Sequence, residues 1–163
     1  MNDDDLYALA RRVGHCLAAA GLRLVTAESC TGGWIAQCIT DVAGSSGWFD
    51  RGFVTYSNEA KTELLGVAED LLRDFGAVSE AVVRAMAAGA LRHSQAQVAV
   101  AVSGVAGPSG GTLEKPVGTV WFAWQRLGRD CRVVRHLLEG DRRAVRRQAV
   151  AIALRGIVDA GRD

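Results

Sequence analysis

The feature of this sequence that most restricts its fold is a nearly unbroken apolar run at residues 97–103, which read QVAVAVS. A strand with one face in water alternates polar and apolar residues, and this run does not alternate. We therefore expect a strand that is buried on both faces. Such a strand lies inside a sheet that helices cover on both sides, so the run predicts an α/β fold.

The segments on either side of this run predict the remaining elements. Apolar residues recur at helical spacing from Leu6 to Leu17, and this first helix should end near Gly21. Further helices are expected to begin at residue 31, to fill residues 58–93 as two or three segments, and to cover 141–158, with strands at 22–27, 49–56, 117–125 and 131–138. This order predicts a three-layer α/β/α sandwich with a mixed parallel and antiparallel sheet, in a single domain over residues 1–163.

Charge and composition argue against several classes of function. The formal net charge of the 163 residues is +1, so the sequence provides no overall field for nucleic acid or an acidic membrane. No apolar run approaches the ~20 residues that cross a bilayer, and the acidic start of the chain differs from a signal peptide, which predicts a cytoplasmic protein. Four scattered cysteines and three histidines form no metal-ligand motif, so no metal is expected.

Residues 26–33, which read TAESCTGG, run from a predicted strand directly into a predicted helix. The hydroxyl of Ser29 at this place lies beside backbone N–H groups that the start of a helix leaves unpaired. Those groups could stabilise the oxyanion that forms when Ser29 attacks an amide carbonyl, and the glycines would let a substrate approach the backbone. The alternative is that Ser29 or Thr31 simply caps the helix, and the spacing alone favours this alternative.

Residues 52–61, which read GFVTYSNEAK, place Tyr56 and Asn58 at the end of a predicted strand and Lys61 on the first turn of the next helix. A lysine can take a proton from serine only when its amine is neutral, and at the ordinary pKa roughly one molecule in a few thousand is neutral at pH 7. Burial and a nearby helix N-terminus would both lower that pKa. Taken alone, Lys61 is more simply interpreted as a solvated side chain.

Cys30, directly after Ser29, offers a different nucleophile. The start of a helix lowers the pKa of a thiol, so an amidase built from Glu28, Cys30 and Lys61 is a rival chemistry on the same segments. Replacing Cys30 by alanine separates the two hypotheses, because it should stop a thiol enzyme and leave a serine enzyme largely active.

Two further segments are candidates for binding an anionic ligand. Residues 103–111, which read SGVAGPSGG, form a glycine-rich loop that can present N–H groups to a phosphate, although the ATP and dinucleotide motifs are both absent. Residues 140–148, which read GDRRAVRRQ, place four arginines on the first turns of a helix, where each opposes the helix dipole by about 0.3–1 kcal/mol. A bound anion would offset this cost, and a solvated helix face is the alternative.

Taken together and in this order, the segments resemble the CinA C-terminal-domain family. The likeness extends to residues 76–80, which read GAVSE, and to 115–121, which read KPVGTVW, so it covers nearly the whole chain. The chain resembles the stand-alone amidohydrolase form of that family. This resemblance implies hydrolysis of the carboxamide of nicotinamide mononucleotide (NMN) to nicotinic acid mononucleotide and ammonia, which recycles pyridine nucleotides. It implies neither a metal nor an organic cofactor.

The resemblance also implies roles for individual residues. Ser29 would be the nucleophile, Lys61 its general base, and Tyr56 would orient the pair or relay the proton. N–H groups near Thr31 and Gly32 would hold the oxyanion. Arg142 and the glycine-rich loop would hold the phosphate and ribose, and the full set of expected oxyanion or substrate contacts is Cys30, Thr31, Gly32, Asn58, Ser103, Gly104, Gly110, Gly111 and Arg142.

Two other expectations concern partners. The family resemblance implies a homo-oligomer, although the sequence does not determine its symmetry. The rival to an enzyme is a non-catalytic nucleotide-binding module linked to competence or DNA damage, and the near-neutral charge argues against direct contact of such a module with DNA. Ammonia release from the mononucleotide distinguishes the enzyme from the binding module.

Overall fold

Five strands form one sheet in the computed structural model, which describes residues 1–162 and so excludes Asp163, the last residue of the predicted domain. Their bounds are Leu24–Glu28 (β1), Phe49–Val54 (β2), Val98–Gly104 (β3), Thr119–Arg126 (β4) and Arg132–Leu137 (β5). The strand order across the sheet is β2-β1-β3-β4-β5. β1 runs parallel to β2 and to β3, whereas β4 runs antiparallel to β3 and β5. The prediction of a mixed sheet is therefore confirmed.

Helices cover both faces of this sheet. Their bounds are Asp3–Ala20 (α1), Trp34–Thr40 (α2), Asn58–Leu65 (α3), Glu69–Phe75 (α4), Glu80–Arg92 (α5) and Arg142–Arg162 (α6), with a short 3₁₀ segment at Ser45–Gly47. α1, α2 and α6 pack on one face, and α3, α4 and α5 lie on the other. Within residues 1–162, none of the helices combines the length and the apolar character that a membrane span requires.

The central strand β3 explains why both faces are covered. Val98, Val100 and Val102 point into the core under α1, α2 and α6. Ala99 and Ala101 point into the core under α5, and all five side chains are fully buried. The apolar run at residues 97–103 is thus a strand between two helical layers, and the predicted three-layer α/β/α sandwich is confirmed.

The glycine at position 89 lets α5 approach the end of α3 very closely. A Cβ atom at Gly89 would lie 1.9 Å from the carbonyl oxygen of Leu65, which is shorter than any real contact. This close approach seats α3 against α5 and the sheet, and α3 carries Lys61.

The start of α2 differs from the prediction. The sequence places it at residue 31, but the helix begins at Trp34. Gly32 and Gly33 have φ angles of 60° and 95°, which are left-handed conformations and cannot form the first turn of a right-handed helix. Residues 29–33 therefore form a separate turn between β1 and α2, and we call this segment the nucleophile turn.

Candidate active site

Parallel pairing brings three predicted segments to one edge of the sheet. β1, β2 and β3 all end there, so Ser29, residues 55–57 and residues 103–104 come from neighbouring carboxyl ends. The N–H of Ser29 donates to Val102 O at 3.0 Å, and the N–H of Thr55 donates to Glu28 O at 2.9 Å, so both neighbours hold the end of β1. Ligand sites in open α/β sheets collect at this edge.

The structure brings Ser29 and Lys61 together although 32 residues separate them. The amine of Lys61 lies 3.0 Å from Ser29 Oγ and 2.7 Å from the carbonyl oxygen of Thr55. The carbonyl oxygens of Tyr56 and Ser57 are at 3.3 and 3.5 Å. Ser57 caps the N-terminus of α3, so the lysine side chain folds back along its own helix to reach these atoms.

The amine of Lys61 is buried among a hydroxyl and main-chain carbonyl oxygens. Lys61 is 1% exposed, and among the described residues no carboxylate forms a salt bridge with it. Burial lowers the pKa of Lys61 because it removes water from the ammonium, and the nearby Cys30 opposes this shift only as a smaller effect. The interpretation of Lys61 as a solvated side chain is therefore wrong, and its burial favours the neutral amine that a general base requires.

The backbone N–H groups of the nucleophile turn differ in their acceptors, and that of Gly33 is directed to the Glu28 carboxylate. The N–H of Gly32 donates to Ser29 O at 3.0 Å, so it closes the turn and is not free for an oxyanion, which corrects the prediction for that residue. The N–H groups of Cys30 and Thr31 donate to no carbonyl or carboxylate oxygen among residues 1–162. These two groups are the candidate oxyanion donors.

Glu28 anchors the other side of the turn. Its carboxylate oxygens accept from the N–H groups of Ile35 at 2.8 Å and Ala36 at 3.0 Å, on the first turn of α2. Burial raises the pKa of Glu28, and these hydrogen bonds to the carboxylate oppose that shift. Glu28 and Ser29 point to opposite faces of the sheet, so Glu28 holds the helix that follows the nucleophile and does not touch the Ser29–Lys61 pair.

The thiol of Cys30 does not have the low pKa that the sequence position suggested. Burial raises the pKa of Cys30 to about 11, well above neutrality. The side chain packs in the core under α1, α2 and α6, where desolvation outweighs any effect of the helix start. The prediction of an activated thiol is therefore wrong, and the rival amidase based on Glu28, Cys30 and Lys61 loses its basis.

The side chains of Tyr56 and Arg142 form a hydrogen bond at the same edge of the sheet. Tyr56 is 64% exposed, and its hydroxyl accepts from Arg142 Nη2 at 3.2 Å rather than bonding to Ser29 or Lys61. Arg142 Nη1 also donates to Gly107 O at 2.8 Å. Arg142 thus connects the glycine-rich loop to Tyr56, and only the main-chain carbonyl of Tyr56 contacts the lysine amine.

The remaining predicted contacts lie at the same edge or in the adjacent loop. Asn58 is the exposed first residue of α3, and its side chain forms no hydrogen bond with any described residue. Ser103 and Gly104 end β3, and Gly110 and Gly111 lie in the exposed loop beyond it. A Cβ atom at Gly104 would lie 2.7 Å from a methyl group of Val120, so this glycine also serves close packing.

Arg146, on the arginine-rich helix, was not assigned a role from the sequence and contacts the nucleophile turn. Arg146 donates from Nε to Cys30 O at 3.0 Å and from Nη2 to Thr31 O at 3.1 Å, which joins α6 directly to the nucleophile turn. Its guanidinium lies 5.4 Å from the ring centre of Trp34. The available signal was its position four residues after Arg142, which puts both on one face of α6.

A cavity of about 700 Å³ lies behind the nucleophile turn. Thr31, Gly32, Trp34, Arg142 and Arg143 contribute to its wall, whereas Ser29 and Lys61 do not. Within residues 1–162, His, Cys, Asp and Glu side chains form no group of three that could hold a metal ion.

Comparison with known proteins shows the family of this chain. The model of the CinA C-terminal domain matches residues 6–160. The chain belongs to the CinA C-terminal domain family. It is 57% identical over 154 residues to the nicotinamide-nucleotide amidohydrolase PncC of Escherichia coli K12, covering 94% of this chain and 93% of that protein. The protein of the same name from Pseudomonas putida is 54% identical over 160 residues, covering 97% and 98%.

Solved structures of the same family have the same fold. The competence/damage inducible protein CihA from Agrobacterium tumefaciens superposes with a TM-score of 0.92 at 45% identity, covering 95% of this chain and 94% of that one. A CinA superfamily protein from Klebsiella pneumoniae gives a TM-score of 0.92 at 42% identity, covering 99% and 98%. The predicted family and fold are confirmed, and the curated relatives confirm the prediction of an amidase enzyme.

Proposed function

We propose that this chain hydrolyses the carboxamide of NMN to nicotinic acid mononucleotide and ammonia, with Ser29 as nucleophile and Lys61 as general base. The observation that carries the proposal is the 3.0 Å contact between Ser29 Oγ and a buried lysine amine that pairs with no carboxylate of residues 1–162. The substrate is proposed from the names of relatives that are 54–57% identical over nearly the full chain.

The contacts of Lys61 fit a neutral amine. Such an amine has two N–H donors and one lone pair. The carbonyl oxygens of Thr55 at 2.7 Å and Tyr56 at 3.3 Å are the two nearest main-chain acceptors for these donors, and that of Ser57 is more distant at 3.5 Å. The lone pair is then left for the hydroxyl proton of Ser29 at 3.0 Å. This arrangement orients the base toward the nucleophile before substrate binds.

The reaction then proceeds in two halves. Lys61 takes the hydroxyl proton as Ser29 Oγ attacks the carboxamide carbon, and the resulting oxyanion is held by the N–H groups of Cys30 and Thr31. The Lys61 ammonium gives its proton to the leaving nitrogen, so ammonia departs and an acyl-enzyme remains. Lys61 next takes a proton from water, which attacks the ester, and gives that proton to the leaving Ser29 Oγ, so the acid is released and the neutral amine is restored.

The glycine-rich loop and Arg142 are proposed to hold the ribose phosphate. Arg142 uses two of its five N–H donors for Gly107 O and the Tyr56 hydroxyl, which leaves three for an anion. We propose that the Tyr56 hydroxyl serves to orient Arg142 and the substrate. The homo-oligomer, the cytoplasmic location and the role in recycling pyridine nucleotides stay predictions.

Ammonia release from NMN tests the function and the roles together. We expect Ser29→Ala to lower kcat on the order of 10⁶-fold. Lys61→Met should lower it at least about 10³-fold. The matched controls are Cys30→Ala beside the nucleophile and Lys115→Met, the other lysine of the chain, and both should keep most of the activity.

Each alternative has its own outcome in the same assay. Ammonia release by Ser29→Ala at the parent rate would refute the serine mechanism, and loss of activity in Cys30→Ala alone would restore the thiol enzyme. Binding of NMN without turnover by the parent protein would favour a nucleotide-binding module. Arg142→Met should raise KM for NMN more than for nicotinamide riboside, which lacks the phosphate, and equal effects would contradict the phosphate role.

A further inference from the structure

We propose that Arg146 is a positioning residue that aims the N–H of Thr31 into the oxyanion site. The inference rests on the proposed serine mechanism, and it assigns a function to an arginine that does not need to touch the substrate. Its basis is the pair of hydrogen bonds from the Arg146 guanidinium to Cys30 O and Thr31 O.

Because the peptide group is planar, the two hydrogen bonds of Arg146 also determine the direction in which the backbone N–H groups point. The peptide bond between Cys30 and Thr31 is trans, so the carbonyl of Cys30 and the N–H of Thr31 point in opposite directions. Arg146 comes from α6 and holds that carbonyl from one side of the turn. The N–H of Thr31 therefore points away from α6, toward the face where Ser29 meets Lys61 from α3.

The next peptide obeys the same rule. Arg146 holds the carbonyl of Thr31, and the N–H of Gly32 on the opposite side of that peptide closes the turn onto Ser29 O at 3.0 Å. Because this bond fixes the carbonyl of Ser29 inside the turn, the N–H of Cys30 points outward. The guanidinium of Arg146 thus fixes two successive peptide planes. The first contains the N–H of Thr31, and the second contains the N–H of Gly32, which closes the turn.

Arg146 is itself held in place by its surroundings. Its guanidinium lies over the indole of Trp34, at 5.4 Å from the ring centre, and Trp34 begins α2 directly after the turn. Arg147 lies over the same indole at 5.1 Å but donates to Asp3 instead of to the turn. Both arginines contact the same indole, but only Arg146 donates to the turn, which makes Arg147 the matched control.

Steady-state kinetics on the full-length protein with NMN test the proposal. We expect Arg146→Met to lower kcat about 10- to 100-fold, since removal of a whole oxyanion donor costs about 10²–10³-fold. KM should change less than about threefold, because the lost interaction belongs to the transition state. Arg146→Lys keeps the charge and most of the stem but cannot reach both carbonyls, so it should show a partial loss of kcat. Arg147→Met should keep kcat within about threefold of the parent value.

The outcomes separate this inference from the proposed function. An inactive parent protein would overturn the function, and the inference with it. An active parent with unchanged kcat in Arg146→Met would overturn the inference alone. So would a raised KM at unchanged kcat, which would mean that Arg146 binds the substrate. If Arg146→Met does not fold, as judged by thermal unfolding, the kcat of Arg146→Lys decides: a parent value overturns the inference and a reduced value supports it.

Discussion

The lysine content of the chain allows a direct test of the central electrostatic claim. The chain contains two lysines, Lys61 and Lys115. Lysine labelled with ¹³C at Cε therefore gives two side-chain signals, and Lys115→Met removes one of them and assigns the other. The perturbation is a change of pH, followed through the chemical shift of the Lys61 signal.

We expect Lys61 to titrate below the ordinary lysine pKa. The cause is burial, because Lys61 is 1% exposed and, among residues 1–162, no carboxylate pairs with its amine. At a pKa of ~10.4, about one lysine in 2,500 is neutral at pH 7, and each unit by which the pKa falls multiplies that fraction tenfold. Each unit also corresponds to about 1.4 kcal/mol of preference for the neutral amine.

The titration also predicts the pH dependence of the enzyme. The base is active only when neutral, so kcat/KM should rise with pH and level off above the pKa of Lys61 measured by NMR. A Lys61 signal that titrates at or above the ordinary lysine value would refute the reasoning. So would a kcat/KM profile whose acid limb lies away from the NMR pKa, because the titrating group would then be a different one.

Two further predictions concern stability. A lowered pKa in the folded state means that the unfolded chain binds more protons between that pKa and ~10.4, so stability rises with pH there. The free energy of unfolding of the parent, measured with urea, should thus rise relative to that of Lys61→Met from pH 7 to pH 10, and parallel curves would contradict this. Gly89→Ala should cost about 1–3 kcal/mol, because its Cβ would meet Leu65 O at 1.9 Å. Gly47→Ala, which meets no atom within 4 Å, is the control, and equal unfolding midpoints would be evidence against this steric argument.

Much of the fold follows from patterns that sequence alone displays. The apolar run at residues 97–103 predicts a doubly covered strand because burial on both faces removes the need for polar residues. Ser29 follows the end of β1, and Lys61 lies on the helix that follows β2. Because β1 and β2 pair in parallel, both residues come to the same edge of the sheet. The assignment of these two residues to one reaction came from family resemblance, because 32 residues separate them and spacing carries no information on such a contact.

The details that could not be predicted from the sequence depend on how the helices and strands are rotated and packed against one another. The side chain of Cys30 faces the core on the α6 side of the sheet. Side chains alternate between the two faces along a strand, so a Ser29 side chain on the opposite face would have predicted this. The contact of Arg146 with the nucleophile turn depends on the rotation and distance of α6, which no local pattern encodes. Gly32 was expected to bind an oxyanion, but its N–H group closes the turn onto Ser29 O. The left-handed conformations of Gly32 and Gly33 shift the start of α2 to Trp34.

The way in which the lysine amine is held has a consequence for how this family can vary. The acceptors around Lys61 are main-chain oxygens of residues 55–57, and every amino acid supplies that atom. The position of the amine therefore depends on the course of the main chain at residues 55–57, and any side chain there that preserves this course also preserves the contacts.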